Sequence, residues 1–285
     1  MQYLPQIRPI TVEGLRFVCA MGGSPSNPPL LLLPGWMSTP GVWDSTIGAL
    51  RATHYCVAIG LLGSGESDKP PRGDYRIATQ GRHVLAIADV LGIDTFSLMG
   101  HSRGGQIALS IAARQAPERV ERLILVTPVV NGRLAPYAER FMFPFVALGR
   151  RLPWLYSIAR WLVPRFPAYS HLMYGPQVYD SRTLPLRQMR SEQLSALQRA
   201  SMRPNYLTMR TMRATDLTLD LHRVKAATTV IAGTHDGVVP PEQSRLAAAR
   251  IPGAQLVTLE RCGHYPMWEQ PETYLEAVCA ALGCA

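Results

Sequence analysis

The stretch FSLMGHSRGGQIAL (96–109) contains the pattern that decides the fold: an apolar run, then G-H-S-R-G at 100–104, then helical spacing. A serine between glycines, placed between a predicted strand and a predicted helix, is typical of a sharp turn that exposes the hydroxyl. The glycines are needed because a Cβ beside the turn would collide with the neighbouring strand or helix. The first N–H groups of the helix point to the same place, where an oxyanion can form. The pattern predicts a nucleophile at Ser102.

Apolar runs and helical stretches alternate on both sides of this turn. Strands are predicted at 10–18, 30–33, 55–59, 96–100, 122–126, 228–233 and 255–259. Helices are predicted at 41–51, 75–91, 103–116, 241–249 and 271–282. Most of the strand runs lack polar alternation, as expected of strands that are buried on both faces of a parallel sheet. The sequence therefore predicts an α/β fold with a mostly parallel central sheet and helices on both faces.

The alternation stops after Val130 and resumes near Leu217. Residues 131–214 contain helix-like pieces cut by eight prolines and no convincing strand. We predict that 1–130 and 215–285 form the α/β core and that 131–214 is a helical cap over the carboxyl ends of the strands. This segment has thirteen arginines, no lysine and three acidic residues, so its net charge of +10 exceeds the +9 of the whole chain. The arginines are either an ordinary solvated helical surface or a site for a negatively charged group.

Composition excludes several protein classes. With 285 residues, 47% hydrophobic and 17% charged, the chain is neither disordered nor collagen-like. Its five scattered cysteines predict reduced thiols in a cytoplasmic protein. We expect no signal peptide and no transmembrane helix. No metal-ligand spacing or nucleic-acid motif is present, so we expect no metal, no cofactor and no nucleic-acid partner.

A nucleophilic serine needs a base, and the base needs an orienting carboxylate. Asp236 follows the predicted strand at 228–233, and His264 follows the one at 255–259. Loops at the carboxyl ends of parallel strands lie along one edge of a sheet, so these two residues can converge on Ser102. The chain order Ser, Asp, His is the order this architecture uses. Asp236 is nearly the only candidate acid, since the loop after the strand at 122–126 offers no carboxylate.

With these residues the chain resembles the α/β-hydrolase-fold serine hydrolases, of an esterase or thioesterase-like kind with a helical cap. LLPGW (32–36) is similar to the family's oxyanion loop, with Pro34 in place of the usual histidine. By that resemblance, the backbone N–H groups of Trp36 and Arg103 hold the oxyanion. CGHYP (262–266), followed by EQP (269–271), resembles the stretch that delivers the catalytic histidine.

One position departs from the family's pattern, and two further reactive residues lie next to the proposed triad in sequence. LGSGES (62–67) is similar to a family turn in which an aspartate usually stands at the position of Gly60. His101 lies inside the serine turn, and we expect it to point away from the site. Cys262 is next to the histidine loop, and we interpret it as structural because Ser102 already serves as the nucleophile.

The predicted function is hydrolysis of carboxylic esters or thioesters through an acyl-enzyme, without a metal or cofactor. The candidate pocket residues are apolar side chains of the loops and the cap: Met37, Phe141, Phe145, Trp154, Val238 and Tyr265. Such residues suit an apolar acyl group, although some of them must simply pack the cap onto the core. The arginines suggest an anionic substrate group or an anionic partner: an acyl carrier protein, coenzyme A or an anionic lipid.

Two alternatives remain open. A C–C bond hydrolase of vinylogous diketone acids uses a similar triad, and the sequence HYPMWE (264–269) resembles that subgroup. Against it, PGWMSTP (34–40) lacks the subgroup's glycine-proline-glycine oxyanion stretch. The second alternative is a ligand-binding protein that has kept the scaffold without catalysis, since a fold does not determine a function.

Overall fold

The computed structural model describes residues 4–152, 154, 157–158, 175–182 and 201–284. Its central feature is a sheet of eight strands in the order β1-β2-β4-β3-β5-β6-β7-β8. The strands are β1 (Gln6–Val12), β2 (Leu15–Gly22), β3 (Pro29–Leu33), β4 (Tyr55–Ile59), β5 (Phe96–His101), β6 (Val120–Val126), β7 (Ala227–Gly233) and β8 (Gln255–Leu259). The pairs β1–β2 and β2–β4 are antiparallel and the others are parallel. The predicted α/β class with a mostly parallel sheet is confirmed.

Helices connect the strands at the places the spacing predicts. The α-helices are α1 (Asp44–Leu50), α2 (Ile77–Val90), α3 (Arg103–Ser110), α4 (Phe143–Arg151), α5 (Met202–Ala214), α6 (Pro241–Arg250), α7 (Pro266–Glu269) and α8 (Pro271–Leu282). Tighter 3₁₀ turns cover Pro40–Trp43, Gly175–Gln177 and Thr218–Arg223, and wider π turns cover Ile111–Gln115 and Ala138–Met142. Pro241 and Pro271 each stand in the first turn of a helix. A backbone N–H at this position would have no acceptor within the helix, so proline loses no hydrogen bond there.

One predicted strand is wrong. Residues 10–18 form parts of two strands, β1 and β2, which pair as a hairpin from Gln6↔Met21 to Val12↔Leu15. Glu13 and Gly14 make the turn, both with positive φ, of 52° and 74°. Two consecutive residues with positive φ match the twist of a two-residue hairpin turn. The sequence at this turn is Glu-Gly rather than the usual Asn-Gly or Asp-Gly. The pattern therefore predicts one strand where the structure has two.

The sheet is covered on both faces, as the run Leu30–Leu33 in β3 illustrates. Leu31 and Leu33 pack in one core together with α2, α3 and α6, whereas Leu30 and Leu32 pack in another with α1, α7 and α8. All four leucines are fully buried. Successive side chains of a strand point to opposite faces, so an unbroken apolar run is what a doubly covered strand requires.

The region between β6 and β7 contributes a third, smaller core. In it α4 and α5 pack together through Phe143, Val146, Met209 and Met212, next to the loop that contains Leu134. The predicted cap boundaries, 131–214, remain a prediction because residues 153, 155–156, 159–174 and 183–200 lie outside the described part of the chain. Within the described part, no helix has the length and apolar content needed to cross a bilayer.

Candidate active site

Ser102 lies on the sharp turn between β5 and α3. Its backbone angles, φ 55° and ψ −116°, are strained for a residue with a side chain. The surrounding contacts hold this conformation: the N–H of Ser102 donates to the carbonyl of Val126 at 2.9 Å, and its carbonyl accepts from Val129 at 3.1 Å. A Cβ on Gly104 would stand 2.1 Å from the carbonyl oxygen of Leu33. Glycine is therefore obligatory at this position, as the pattern predicted.

The loop that contains Trp36 lies directly against this turn. A Cβ on Gly35 would come within 3.4 Å of the Cβ of Ser102 and 2.9 Å of His101 Nδ1. Trp36 and Ser102 line the same cavity. The indole Nε1 of Trp36 donates to the carbonyl of Asn205 at 3.2 Å, which ties the loop to α5.

Arg103, the residue after Ser102, opens α3, so its backbone N–H has no acceptor within the helix. Its side chain is completely buried, and the three guanidinium nitrogens have no hydrogen-bond partner among the described residues. Burial lowers the pKa of Arg103 to about 10, with Tyr75 acting in the opposite direction. This buried guanidinium could not be predicted from the sequence, because an arginine after the nucleophile suggests only its backbone role.

Asp236 and His264 meet at the carboxyl ends of β7 and β8. Nδ1 of His264 lies 2.7 Å from Oδ2 of Asp236, and both side chains are almost fully buried. The other carboxylate oxygen, Oδ1, accepts the N–H groups of Val238 at 2.8 Å and Val239 at 2.9 Å. The acid is thus fixed from one side by the backbone and oriented towards the imidazole on the other. His264 and Ser102 both line the cavity described below.

The histidine loop is held by the nearby carboxylate of Glu269 and by the distant segment 175–182. Glu269 accepts three backbone N–H groups: those of Gly263 at 2.9 Å and Tyr179 at 2.8 Å at Oε2, and that of Tyr265 at 3.1 Å at Oε1. Burial raises the pKa of Glu269 above its usual value, and these three donors only partly oppose the shift. The N–H of His264 donates to the carbonyl of Gln177 at 2.8 Å. The segment 175–182 thereby connects the region between β6 and β7 to the base.

His101 packs against the histidine loop and is not among the residues that line the cavity. Its Nε2 lies 2.8 Å from the carbonyl oxygen of His264, and the two imidazole rings are 4.7 Å apart. A carbonyl can only accept, so Nε2 carries the hydrogen. Burial holds the pKa of His101 well below its usual value, and the nearby His264 adds to the shift. Thr127 Oγ1 donates to the same carbonyl at 3.2 Å.

A small cavity of about 30 Å³ lies over these side chains. Most of its lining is apolar, and the lining residues are Trp36, Ser102, Leu134, Ala138, Met142, Phe143, Gln177, Met212, Val238, His264 and Tyr265. Such a volume holds about one or two water molecules. An organic substrate must therefore displace some of the lining side chains or extend beyond this cavity.

The predicted pocket residues divide into two groups. Val238 and Tyr265 line the cavity, and Met37, with a positive φ of 54°, packs beside it against the small core of α4 and α5. Phe141, Phe145 and Trp154 lie instead on the outer surface, with 65%, 40% and 60% of their area exposed. On α4, Phe143 and Val146 point inwards, which leaves Phe145 on the outer side, whereas Phe141 precedes this helix and Trp154 follows it. Met142 and Phe143 line the cavity in their place.

Two further sequence observations have structural explanations. Cys262 is fully buried and burial raises the pKa of its thiol strongly, which suits a structural and unreactive residue. At Gly60 a Cβ would meet the carbonyl oxygen of Val18 at 2.5 Å and Ser67 Oγ at 2.7 Å. Ser67 accepts from the N–H of Val18 and donates to the carbonyl of Gly60. The loop is therefore closed by Ser67 and has no space for an aspartate at Gly60.

The fold and this edge of the sheet define a known class. The sequence model of the alpha/beta hydrolase fold family matches residues 28–271, and the chain belongs to that family.

Its relatives carry out several hydrolytic reactions. The chain is 28% identical to a 2-hydroxymuconate semialdehyde hydrolase of Pseudomonas putida, over 93% of this chain and 86% of the relative. It is also 28% identical to a pimeloyl-[acyl-carrier protein] methyl ester esterase of Nitrosomonas europaea, over 88% and 94%. Among solved structures, a bacterial membrane phospholipase A superposes with a TM-score of 0.80 at 26% identity, over 98% of this chain and 86% of that chain. Family and relatives support an enzyme of the hydrolase class.

Proposed function

We propose that this protein is a serine hydrolase that cleaves carboxylic esters or thioesters, with Ser102 as nucleophile, His264 as base and Asp236 as the orienting acid. One observation carries the proposal: the imidazole that lines the cavity with Ser102 is hydrogen-bonded at 2.7 Å to a buried carboxylate. A buried acid bonded to an imidazole beside a strained serine is the arrangement that acyl transfer requires. The esterase and the phospholipase among its relatives agree with this chemistry.

The geometry supports a two-step mechanism. Since Asp236 accepts the hydrogen on Nδ1, Nε2 of His264 is left as the base that takes the proton of Ser102 as Oγ attacks the carbonyl carbon. The imidazolium, stabilised by the carboxylate, then gives this proton to the departing alcohol or thiol. Water attacks the acyl-enzyme by the same route and releases the acid. The N–H groups of Trp36 and Arg103 are the proposed oxyanion donors, each worth about 10²–10³-fold in turnover.

The lining of the cavity suggests an apolar acyl group. Met142, Phe143 and Met212 offer flexible or flat apolar surface without a hydrogen-bonding group in their side chains. The arginines that the structure describes between β6 and β7 do not line this cavity, so we assign to them an anionic substrate group or an anionic partner rather than a role in bond cleavage. A rate that falls with salt for anionic esters, and not for neutral ones, would support that assignment.

Covalent labelling is the most direct test. A fluorophosphonate probe should label the wild-type protein and fail to label Ser102→Ala, and the same substitution should abolish turnover of p-nitrophenyl esters. Ser110→Ala is a matched control, since this buried serine of α3 lies away from the cavity lining. Labelling that persists in Ser102→Ala would overturn the assignment of the nucleophile.

A second candidate is a C–C bond hydrolase of diketone acids, favoured by the 28% identity to the semialdehyde hydrolase. Both chemistries use the serine, so probe labelling does not separate them. The two chemistries are separated by comparing kcat/KM on a vinylogous diketone acid with kcat/KM on a series of esters and thioesters. Preference for the diketone acid by more than about tenfold, about 1.4 kcal/mol in transition-state binding, would favour this second candidate.

A further inference from the structure

One side of α4 and of the turn before it is exposed and apolar. Phe141, Phe145 and Leu148 are 65%, 40% and 47% exposed, and they are four and three residues apart. This spacing places them on one side of the helix. We call these three side chains the α4 stripe. The buried face of the same helix contains Phe143 and Val146, so α4 is apolar on two sides.

A helix that is apolar on two sides normally has both of them covered. Single exposed apolar residues are common on protein surfaces, but contiguous ones mark an interaction site. Beyond the stripe, Trp154 and Ile158 continue the apolar exposure, at 60% and 47%. The surface around α4 therefore needs a partner with apolar character.

The charge of this region identifies the kind of partner. The described residues of 131–158 and 201–214 include one acidic residue, Glu139, which pairs with Arg213 at 2.6 Å. They include seven arginines: Arg133, Arg140, Arg150, Arg151, Arg203, Arg210 and Arg213. Arg140 precedes the first residue of the stripe, and Arg151 ends α4 three residues after the last. Neither has an ion-pair partner among the described residues.

A groove with several arginines in its lining adjoins α5. It has a volume of about 540 Å³, and its lining includes Arg133, Arg210, Tyr206 and the ion pair of Arg213 with Glu139. Arg150 of α4 stacks on the ring of Tyr206 from outside, 4.4 Å from its centroid. Guanidinium groups suit phosphate, which each of them can bind through two hydrogen bonds.

We propose that the α4 stripe, with Arg140 and Arg151, docks on an anionic phospholipid bilayer. Aromatic and leucine side chains on one side of a helix, bordered by arginines, are the composition of helices that lie in the interface between lipid tails and headgroups. A second copy of this chain is disfavoured as the partner because it would bring an equal excess of arginine against this one. An acidic protein would match the charge of the arginines, but its charge would not account for the three exposed apolar side chains beside them.

Vesicle flotation tests the proposal with the full-length protein. Wild type should float with vesicles of phosphatidylglycerol and phosphatidylcholine, should bind pure phosphatidylcholine at least about tenfold more weakly, and should detach as salt rises. Phe141→Ser with Phe145→Ser should weaken binding about tenfold or more, as should Arg140→Gln with Arg151→Gln. Equal binding to both kinds of vesicle, or equal binding by the variants, would overturn the proposal.

Matched substitutions elsewhere serve as controls. Ile7→Ser with Leu219→Ser removes apolar side chains that are 60% and 81% exposed outside this region, and Arg8→Gln with Arg72→Gln removes the same charge. Both should float like wild type, and thermal unfolding should show that all variants are folded. Ser102→Ala should also float normally, so loss of vesicle binding and loss of the proposed catalysis are separate results.

The competing partners give opposite outcomes. If light scattering finds a dimer that Phe141→Ser with Phe145→Ser dissociates, the stripe is a subunit interface and the bilayer proposal fails. It fails equally if the stripe variants lose affinity for a purified acidic acyl carrier protein while their vesicle binding is unchanged.

Discussion

The serine turn and the histidine loop meet at one cavity but are held together differently. The turn at Ser102 is fixed by backbone groups of the strands on either side, with carbonyl and glycine contacts that leave no space for side chains. The loop at His264 is fixed by individual groups: Gln177 and His101 from distant parts of the chain, and Glu269 from the helix that follows it. Changes to the turn should therefore act on folding, and changes to the loop should act on turnover while the fold persists.

Asp236→Asn should have the largest effect. The amide keeps an oxygen for the N–H groups of Val238 and Val239 but presents an NH₂ group to Nδ1 of His264, which then has to adopt the wrong tautomer. We expect kcat on a good ester to fall about 10⁴-fold, with KM and the unfolding midpoint little changed.

Asp94→Asn is the control, since it removes the same charge from an exposed position outside the site. Burst and steady-state kinetics with both variants measure the difference. A loss of less than about tenfold in Asp236→Asn would mean that another group orients the base.

Gly104→Ala should lower the stability of the protein because it disturbs the serine turn. Its Cβ would meet the carbonyl oxygen of Leu33 at 2.1 Å, and backbone has to move to relieve that contact. We expect the free energy of unfolding to fall by about 2–4 kcal/mol, measured by urea denaturation. Gly175→Ala adds the same methyl group where nothing lies within 4 Å, and it should be close to neutral. Equal stability of the two variants would show that the turn is less tightly packed than the structure indicates.

Glu269→Gln should lower kcat because it disturbs the histidine loop. One carboxylate oxygen becomes an NH₂ group, which cannot accept the backbone N–H it faces, so the position of His264 is no longer fixed on that side. Small misplacements of a catalytic group are costly, and we expect kcat to fall about 10- to 100-fold. Glu272→Gln, on the exposed first turn of α8, is the control and should leave kcat unchanged.

Glu269 should also make the stability of the protein depend on pH, in a direction that follows from its raised pKa. Burial raises the pKa of Glu269 in the folded protein above the usual value of a glutamate, so the folded state retains this proton to higher pH than the unfolded state does. Its contribution to stability is then fully present below the unfolded pKa and is lost as pH rises through the folded one. The stability of wild type relative to Glu269→Gln should therefore decrease across that window. Denaturation curves from acidic to neutral pH measure this, and an increase would contradict the buried position of the carboxylate.

The two regions differ in how far the sequence predicts them. The residue types that the turn at Ser102 requires stand within a few positions of it, and the distant groups that hold it are backbone, so G-H-S-R-G between a strand and a helix was sufficient. Asp236 and His264 could be placed because both follow strands of one parallel sheet. The contact of Gln177 with the base could not, since it joins residues 87 positions apart through a backbone carbonyl, which any residue type provides.

The surface position of Phe141, Phe145 and Trp154 was missed for a related reason. Their apolar character is evident from the sequence, but their side of the fold is not: Phe145 is on the outer side of α4, and the other two lie before and after that helix. Composition suggested a pocket where the structure has an exposed apolar surface. Periodicity predicts that a helix has an inner face but does not identify that face when both sides are apolar.

His101→Phe should have the smallest of the effects on turnover. Phenylalanine keeps a ring against His264 but loses the N–H that donates to its carbonyl, while Thr127 still donates to the same oxygen. One neutral hydrogen bond is worth about 1 kcal/mol, so we expect kcat to fall about five-fold with KM unchanged. Thr127→Val in the same background should lower kcat further, because the carbonyl of the base then has neither donor. If kcat is unchanged in the double variant while stability falls, His101 packs the loop without positioning the base.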